Sequence, residues 1–240
     1  MFAAEKIPIP PVSDADSRVA FPTLAHSMQH TPGVNSLVLV DHLEFTRDRG
    51  RTSGHVDVEG WIGGDVKRLW FSFDGEKAGG ESFEGCVETH YGRSISAWWD
   101  VLVGVRQDVW GGAARTALSF GIRGLVPWFI ETGAYVDVDA AGDTQLRLSA
   151  EYNLLLTNQL ILQPDVEVTL LGSDEPSQNL GSGLSSIEAG LRLRYEFTRE
   201  FAPYVGVVYE RKFGETAGLH TLAVEHTSST TWVAGLRFWF

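Results

Sequence analysis

The 240-residue chain carries 31 acidic side chains against 19 lysines and arginines, a formal net charge of -12. Such a chain repels nucleic-acid phosphates and attracts cations, which argues against a DNA or RNA partner. Cys86 is the single cysteine, so neither an intramolecular disulfide nor a thiolate zinc cluster can form.

No run of about 18 apolar residues occurs, so no membrane-crossing helix is expected. No basic-then-apolar leader opens the chain, as expected if it is the mature form of an exported protein. The mean hydropathy of -0.06 suits a soluble domain. It suits a membrane β-barrel equally, because barrel strands alternate lipid-facing apolar with lumen-facing polar residues. Periodicity has to separate the two.

Residues 1–33 hold no usable period and contain Pro8, Pro10, Pro11, Pro22 and Pro32. They read as a flexible N-terminal arm, followed by a barrel over 34–240. Within the arm, "AHSMQH" supplies His26, Met28 and His30. Thioether plus imidazole suits Cu(I), and alternate spacing in an extended chain presents all three on one side.

From Asn35 the chain becomes a succession of alternating segments, at about 35–46, 53–62, 67–75, 81–91, 96–109, 114–125, 127–138, 144–157, 159–172, 185–198, 201–213 and 229–240. No segment has a convincing helical period. The connections after even-numbered segments are tight ("GGDV", "GRSI", "VP", "TN", "RE"), whereas the two longest, 173–184 and 214–228, follow odd ones. Short turns on one rim and long loops on the other predict an all-β fold: a transmembrane antiparallel up-and-down β-barrel of about 12 strands. An even strand number also puts both chain ends on the short-turn, periplasmic rim. The closing segment "TWVAGLRFWF" sends Trp232, Ala234, Leu236, Phe238 and Phe240 to one face and Val233, Gly235, Arg237 and Trp239 to the other.

The outward parity elsewhere is nearly uncharged, for example Leu146, Leu148, Ala150, Tyr152, Leu154 and Leu156. A soluble sandwich would bury such stripes against a second sheet, but it seldom needs so many strands of ten or more residues. The inward parity is rich in charge. In the later segments Arg147, Arg192, Arg194 and Arg237 are expected to pair with Glu151, Glu167, Glu188 or Glu210 as a wall ladder.

The first five segments are different, because His42, Glu44, His55, Asp57, Glu59, Glu84, Glu88, His90 and Asp100 have few basic neighbours in sequence. Imidazole and carboxylate together suit Cu(II), Ni(II) or Zn(II). These residues are the candidate metal ligands of the lumen, as an electronegative wall and not a spaced motif. Cys86 sits between Glu84 and Glu88, where like charge disfavours a thiolate, so it reads as a small wall residue. "HTSS" spaces His226 and Ser228 like the pair of outer-membrane phospholipase, yet no Asn stands out to orient the histidine. A polar loop is the stronger reading, and the chain is expected not to be an enzyme.

These segments are similar to the copper resistance protein B family. The resemblance spans about residues 35–240 and is carried by "DHLEFTRD", "EGWIGGDVKRLWFSFDGE", "WWDVLVGVRQD", "LSFGIRGLVPWFIE", "EYNLLLTNQLILQPDVEV", "GSGLSSIEAGLRLRYEFTREFAPYVGVVYERKFGETA" and "WVAGLRFWF". It implies a periplasm-facing N-terminal region ahead of an outer-membrane barrel that handles copper, as Cu(I) or Cu(II). A monomer surrounded by outer-membrane lipid is expected, with a periplasmic copper-resistance protein as a partner. The family's N-terminal region is usually rich in Met and His; this chain keeps only "HSMQH", which shifts the expected copper site to the lumen. Conduction of copper through an acidic lumen is the first expectation, and a closed barrel that sequesters copper is the alternative.

Overall fold

The structure is a computed structural model and describes residues 13–15, 33–48, 51–79, 82–110, 113–173, 181–214, 217 and 227–240. The chain divides into Met1–Gly33, of which only Ser13–Ala15 and Gly33 are described, and Val34–Phe240. His26, Met28 and His30 lie outside the described residues, as does His226.

The second unit is a single antiparallel sheet: β1 (Asn35–Asp48), β2 (Arg51–Gly63), β3 (Lys67–Ala78), β4 (Glu84–Ser94), β5 (Trp99–Trp110), β6 (Ala113–Val126), β7 (Ile130–Asp139), β8 (Thr144–Glu151), β9 (Leu154–Leu155), β10 (Leu160–Leu171), β11 (Gly183–Tyr195), β12 (Phe201–Lys212) and β13 (Ser228–Trp239). β8 and β9 are one strand interrupted at Tyr152–Asn153, since both pair with β10. The barrel therefore has twelve strands. Each pairs with its sequence neighbours, and β13 pairs with β1 to close the ring. Phe240 seals the seam by exchanging two backbone hydrogen bonds with Val38, each 3.0 Å. Among the described residues every strand except the two-residue β9 is paired on both sides, which is what a sheet needs in hydrocarbon.

The predicted segments lie close to the observed strands, with local differences. β4 and β5 begin three residues later than alternation suggests, so their turn is Ile95–Trp98 and "GRS" continues the strand. The Val126–Pro127 turn extends through the 3-10 segment Pro127–Phe129, where Trp128 and Phe129 both take positive φ (69° and 61°). At the β7–β8 turn the Asp139 carboxylate accepts from the backbone N–H groups of Ala141 and Asp143, both at 2.9 Å, and Gly142 supplies the left-handed φ of 90°.

Burial is inverted relative to a soluble domain. Outward positions expose Val103, Val105, Leu118, Phe120, Val205 and Trp232, the last at 75%. Contiguous apolar surface on that scale marks a lipid contact. The short-turn rim adds exposed aromatics, including Trp98, Trp128, Phe197 and Phe240, matching an interfacial girdle. The most buried charged groups are instead inside: Glu44, Asp137, Arg192 and Arg194, each at 3% exposure. Among the described residues no helix is long and apolar enough to cross a membrane.

Candidate functional site in the lumen

The interior holds a cavity of about 1060 Å³, walled by fourteen acidic side chains but only five arginines. Its lining runs from Asp65 and Ser96 near the short-turn rim to Ser186 and Glu210 toward the other rim. The excess of carboxylates makes it a cation-attracting space.

One irregularity builds its densest donor group. In β1 the pairing with β2 passes from Val40↔Val58 to His42↔Asp57, and the pairing with β13 slips over the same stretch, so Asp41 is an extra residue. Strict alternation sends Asp41 to lipid. The bulge turns it inward beside His42, burying it to 9% exposure. Asp41, His42 and Asp57 thereby bring one donor atom each to within 4.8 Å of one another, the one such group of three among the described residues. His42 Nδ1 lies 3.3 Å from Asp57 Oδ2, while its buried Nε2 has no hydrogen-bond partner. One imidazole and two carboxylates form a borderline donor set suited to a divalent transition metal.

His55 stacks beside this group, its ring 6.1 Å from that of His42. Two carboxylates hold it: Asp74 Oδ2 lies 2.6 Å from Nε2, and Glu44 Oε2 lies 3.7 Å from Nδ1. Asp74 comes from β3, directly opposite Asp57 of β2 and Cys86 of β4. The Tyr204 hydroxyl donates to Glu44 Oε1 at 3.0 Å, and Arg192 Nε donates to the same oxygen at 2.7 Å.

The remaining predicted ligands are dispersed. Glu59 is held by Arg123 at 3.3 Å, and Asp100 lies 3.7 Å from Arg68. Glu88 takes Arg106 at 2.6 Å and Arg147 at 2.8 Å; its other oxygen is 3.8 Å from His90 Nε2. His90 is buried at 4% exposure against the Tyr135 ring. Glu84 is exposed at the start of β4. The basic partners of these acids come from other strands: Arg106 directly opposite Glu88 on the neighbouring β5, Arg68 from β3, and Arg123 and Arg147 from across the lumen.

The expected wall ladder is also different. Arg192 pairs with Glu44 and Asp165, Arg147 with Glu88 and Asp137, and Arg237 with Asp41, while Arg194 donates to Gln163 and Asn153. None of the four arginines pairs with Glu151, Glu167, Glu188 or Glu210. Glu167, Glu188 and Glu210 instead stand directly opposite one another on β10, β11 and β12. Ser228 opens β13, while His226 lies outside the described residues.

Comparison with known proteins agrees with this architecture. The solved NanC porin aligns with a TM-score of 0.56 at 14% identity, covering 85% of this chain and 99% of that one. The KdgM porin gives 0.52 at 13% identity, covering 86% and 99%. At such identities they show the barrel fold alone. By sequence the chain is 40% identical over 235 residues to copper resistance protein B of Escherichia coli, covering 98% of this chain and 79% of the relative. It is 41% identical over 238 residues to the copper resistance protein B homolog of Pseudomonas syringae pv. tomato, covering 99% and 81%. The family profile described as copper resistance protein B precursor (CopB) matches residues 34–240. A closed twelve-stranded barrel with a lipid-facing exterior and an acidic interior thus belongs to the copper resistance protein B family, and its place is the outer membrane.

Proposed function

We propose that the barrel binds copper ions in its lumen and lets them pass, without enzymatic chemistry. The observation that carries this reading is the Asp41–His42–Asp57 group, set in a cavity where carboxylates outnumber arginines. Residues 34–240 contain no methionine, and their one thiol is Cys86, so the lumen offers chiefly oxygen and imidazole donors. That inventory favours Cu(II) over Cu(I). Three ligands with few additional donors give a site from which an ion can leave, as conduction requires. His55, Asp74 and Glu44 form the neighbouring step. His26, Met28 and His30, on a periplasmic arm, are the exchange point with a periplasmic copper-resistance protein, the Met thioether being the soft donor of the set.

The test is copper flux into liposomes that enclose a copper-responsive chelator. The wild-type protein is expected to conduct Cu(II) above protein-free liposomes, and Asp57→Asn or His42→Ala to lower the rate about tenfold. Equal flux in wild type and both variants removes the lumen assignment.

Sequestration without transport is the second reading, favoured by the arginine contacts that cross the interior, Arg123–Glu59 and Arg147–Glu88. It requires stoichiometric Cu(II) retention with no flux.

A further inference from the structure

Between the Asp41–His42–Asp57 group and the short-turn rim lies a second layer that copper chemistry does not explain. Along β2 the next inward positions after Asp57 are Glu59 and Trp61, which pair with Ser72 and Trp70 of β3. The Trp70 indole packs against the wall at Gly92, where an added Cβ would lie 2.6 Å from its Nε1. Arg68 sits over Trp61 at 4.7 Å and over Trp70 at 5.9 Å, and its guanidinium faces Asp100 at 3.7 Å. Arg123, from β6, stacks on Trp70 at 4.2 Å and reaches Glu59 at 3.3 Å. β2 and β6 are four strands apart in the ring, so the Arg123–Glu59 contact spans the interior.

Two guanidiniums clasping one indole are therefore held between the donor group and the short-turn rim. Stacking on an aromatic face and pairing with a carboxylate both use the planar guanidinium, which fixes its position. We propose that Arg123, positioned by Trp70 and latched by Glu59, is the residue that limits cation passage at the short-turn end of the lumen. A fixed positive charge in a narrow aqueous path repels an approaching cation more strongly than the same charge on an open surface. Glu59 gives the barrier a release. It is two residues from Asp57 on the same inward face, so a divalent cation leaving the donor group competes with Arg123 for its carboxylate. Loss of that partner frees the guanidinium to leave the axis.

This inference rests on the lumen being a cation path but not on copper being the cation, so potassium conductance of the full chain in planar bilayers tests it separately. Arg123→Gln and the more volume-conserving Arg123→Met are expected to raise potassium conductance by roughly fivefold and to increase cation-over-anion selectivity. Arg123→Lys retains the charge but loses the planar stack, and should give conductance between wild type and Arg123→Gln with wild-type selectivity. Arg115→Gln, which removes an arginine paired with Asp139 near the opposite rim and away from the cavity lining, should change neither. Correctly folded Arg123→Gln and Arg123→Met proteins with wild-type conductance and selectivity overturn the proposal. A copper flux insensitive to Asp57→Asn, alongside increased potassium conductance in Arg123→Gln, sinks the copper assignment and leaves this barrier standing.

Discussion

Two sets of carboxylates share the lumen and are treated in opposite ways. Glu44, Glu59, Glu88 and Asp165 are each met by an arginine that comes from another strand. Glu167, Glu188 and Glu210 face one another across β10, β11 and β12 with no arginine between them, and the basic group that reaches the row is Lys212, 4.0 Å from Glu210. Directly opposed like charges on neighbouring strands cost stability, so the second set is retained against a structural penalty. The first set is tied into ion pairs that link strands, whereas the second keeps most of its charge without a close basic group. Acid content alone therefore says little about which residues meet a cation.

The sharpest way to break the comparison is to unpair the clamped set. Arg192→Met removes the guanidinium shared by Glu44 and Asp165, leaving Glu44 with only His55 and Tyr204, at a site where the guanidinium and Glu44 are almost wholly enclosed. About 3 kcal/mol of stability should be lost, read as a lower urea midpoint for loss of the heat-modifiable folded band. An unchanged midpoint would mean that water in the cavity already solvates these charges. The donor group comes next. Asp41→Asn should weaken Cu(II) loading about tenfold while moving the urea midpoint less than Arg192→Met does, measured by metal titration with electron paramagnetic resonance. Nitrogen hyperfine structure lost in His42→Ala would identify the imidazole in the copper shell; its persistence there would point to His55.

The smallest effect belongs to the open row. The triple change Glu167→Gln, Glu188→Gln and Glu210→Gln should lower copper flux by a factor of about three at low ionic strength, with the difference vanishing near 0.5 M salt, as screening of a long-range field demands. The same triple variant should be at least as stable as wild type, because it relieves repulsion. A loss of stability there would show that the row is paired in the membrane and would collapse the distinction between the two sets.

Most of the architecture was legible in the chain, for a physical reason. A strand between lipid and water must alternate, so twelve alternating segments, their turn lengths and the parity of "TWVAGLRFWF" were readable without coordinates. The donor group was legible only in part. His42 and Asp57 followed from parity, but Asp41 did not, because alternation allots adjacent residues to opposite faces. Its signal was present in "VDHLE": two neighbouring polar residues in a lipid-spanning strand can both avoid hydrocarbon only if the strand bulges. The arginine partners were illegible for a different reason. Glu59 and Arg123 are separated by 64 residues, and which side chains meet across a barrel depends on strand tilt and shear, which local pattern does not encode. The Arg68–Trp70–Arg123 layer was illegible for the same reason.

The bulge at Asp41 has a consequence for how such a wall changes over time. Substitution in a barrel can only replace one inward residue with another, because every position already has a face. One added residue does something else: it contributes a new inward side chain while every residue beyond it keeps its partner, provided that the strand's start slides along the seam by the same step. A lineage can thus acquire a third donor beside His42 and Asp57 in one event, with the other walls left as they were. Deletion of Asp41 should reverse it, restoring a regular strand and a two-donor lumen in one step.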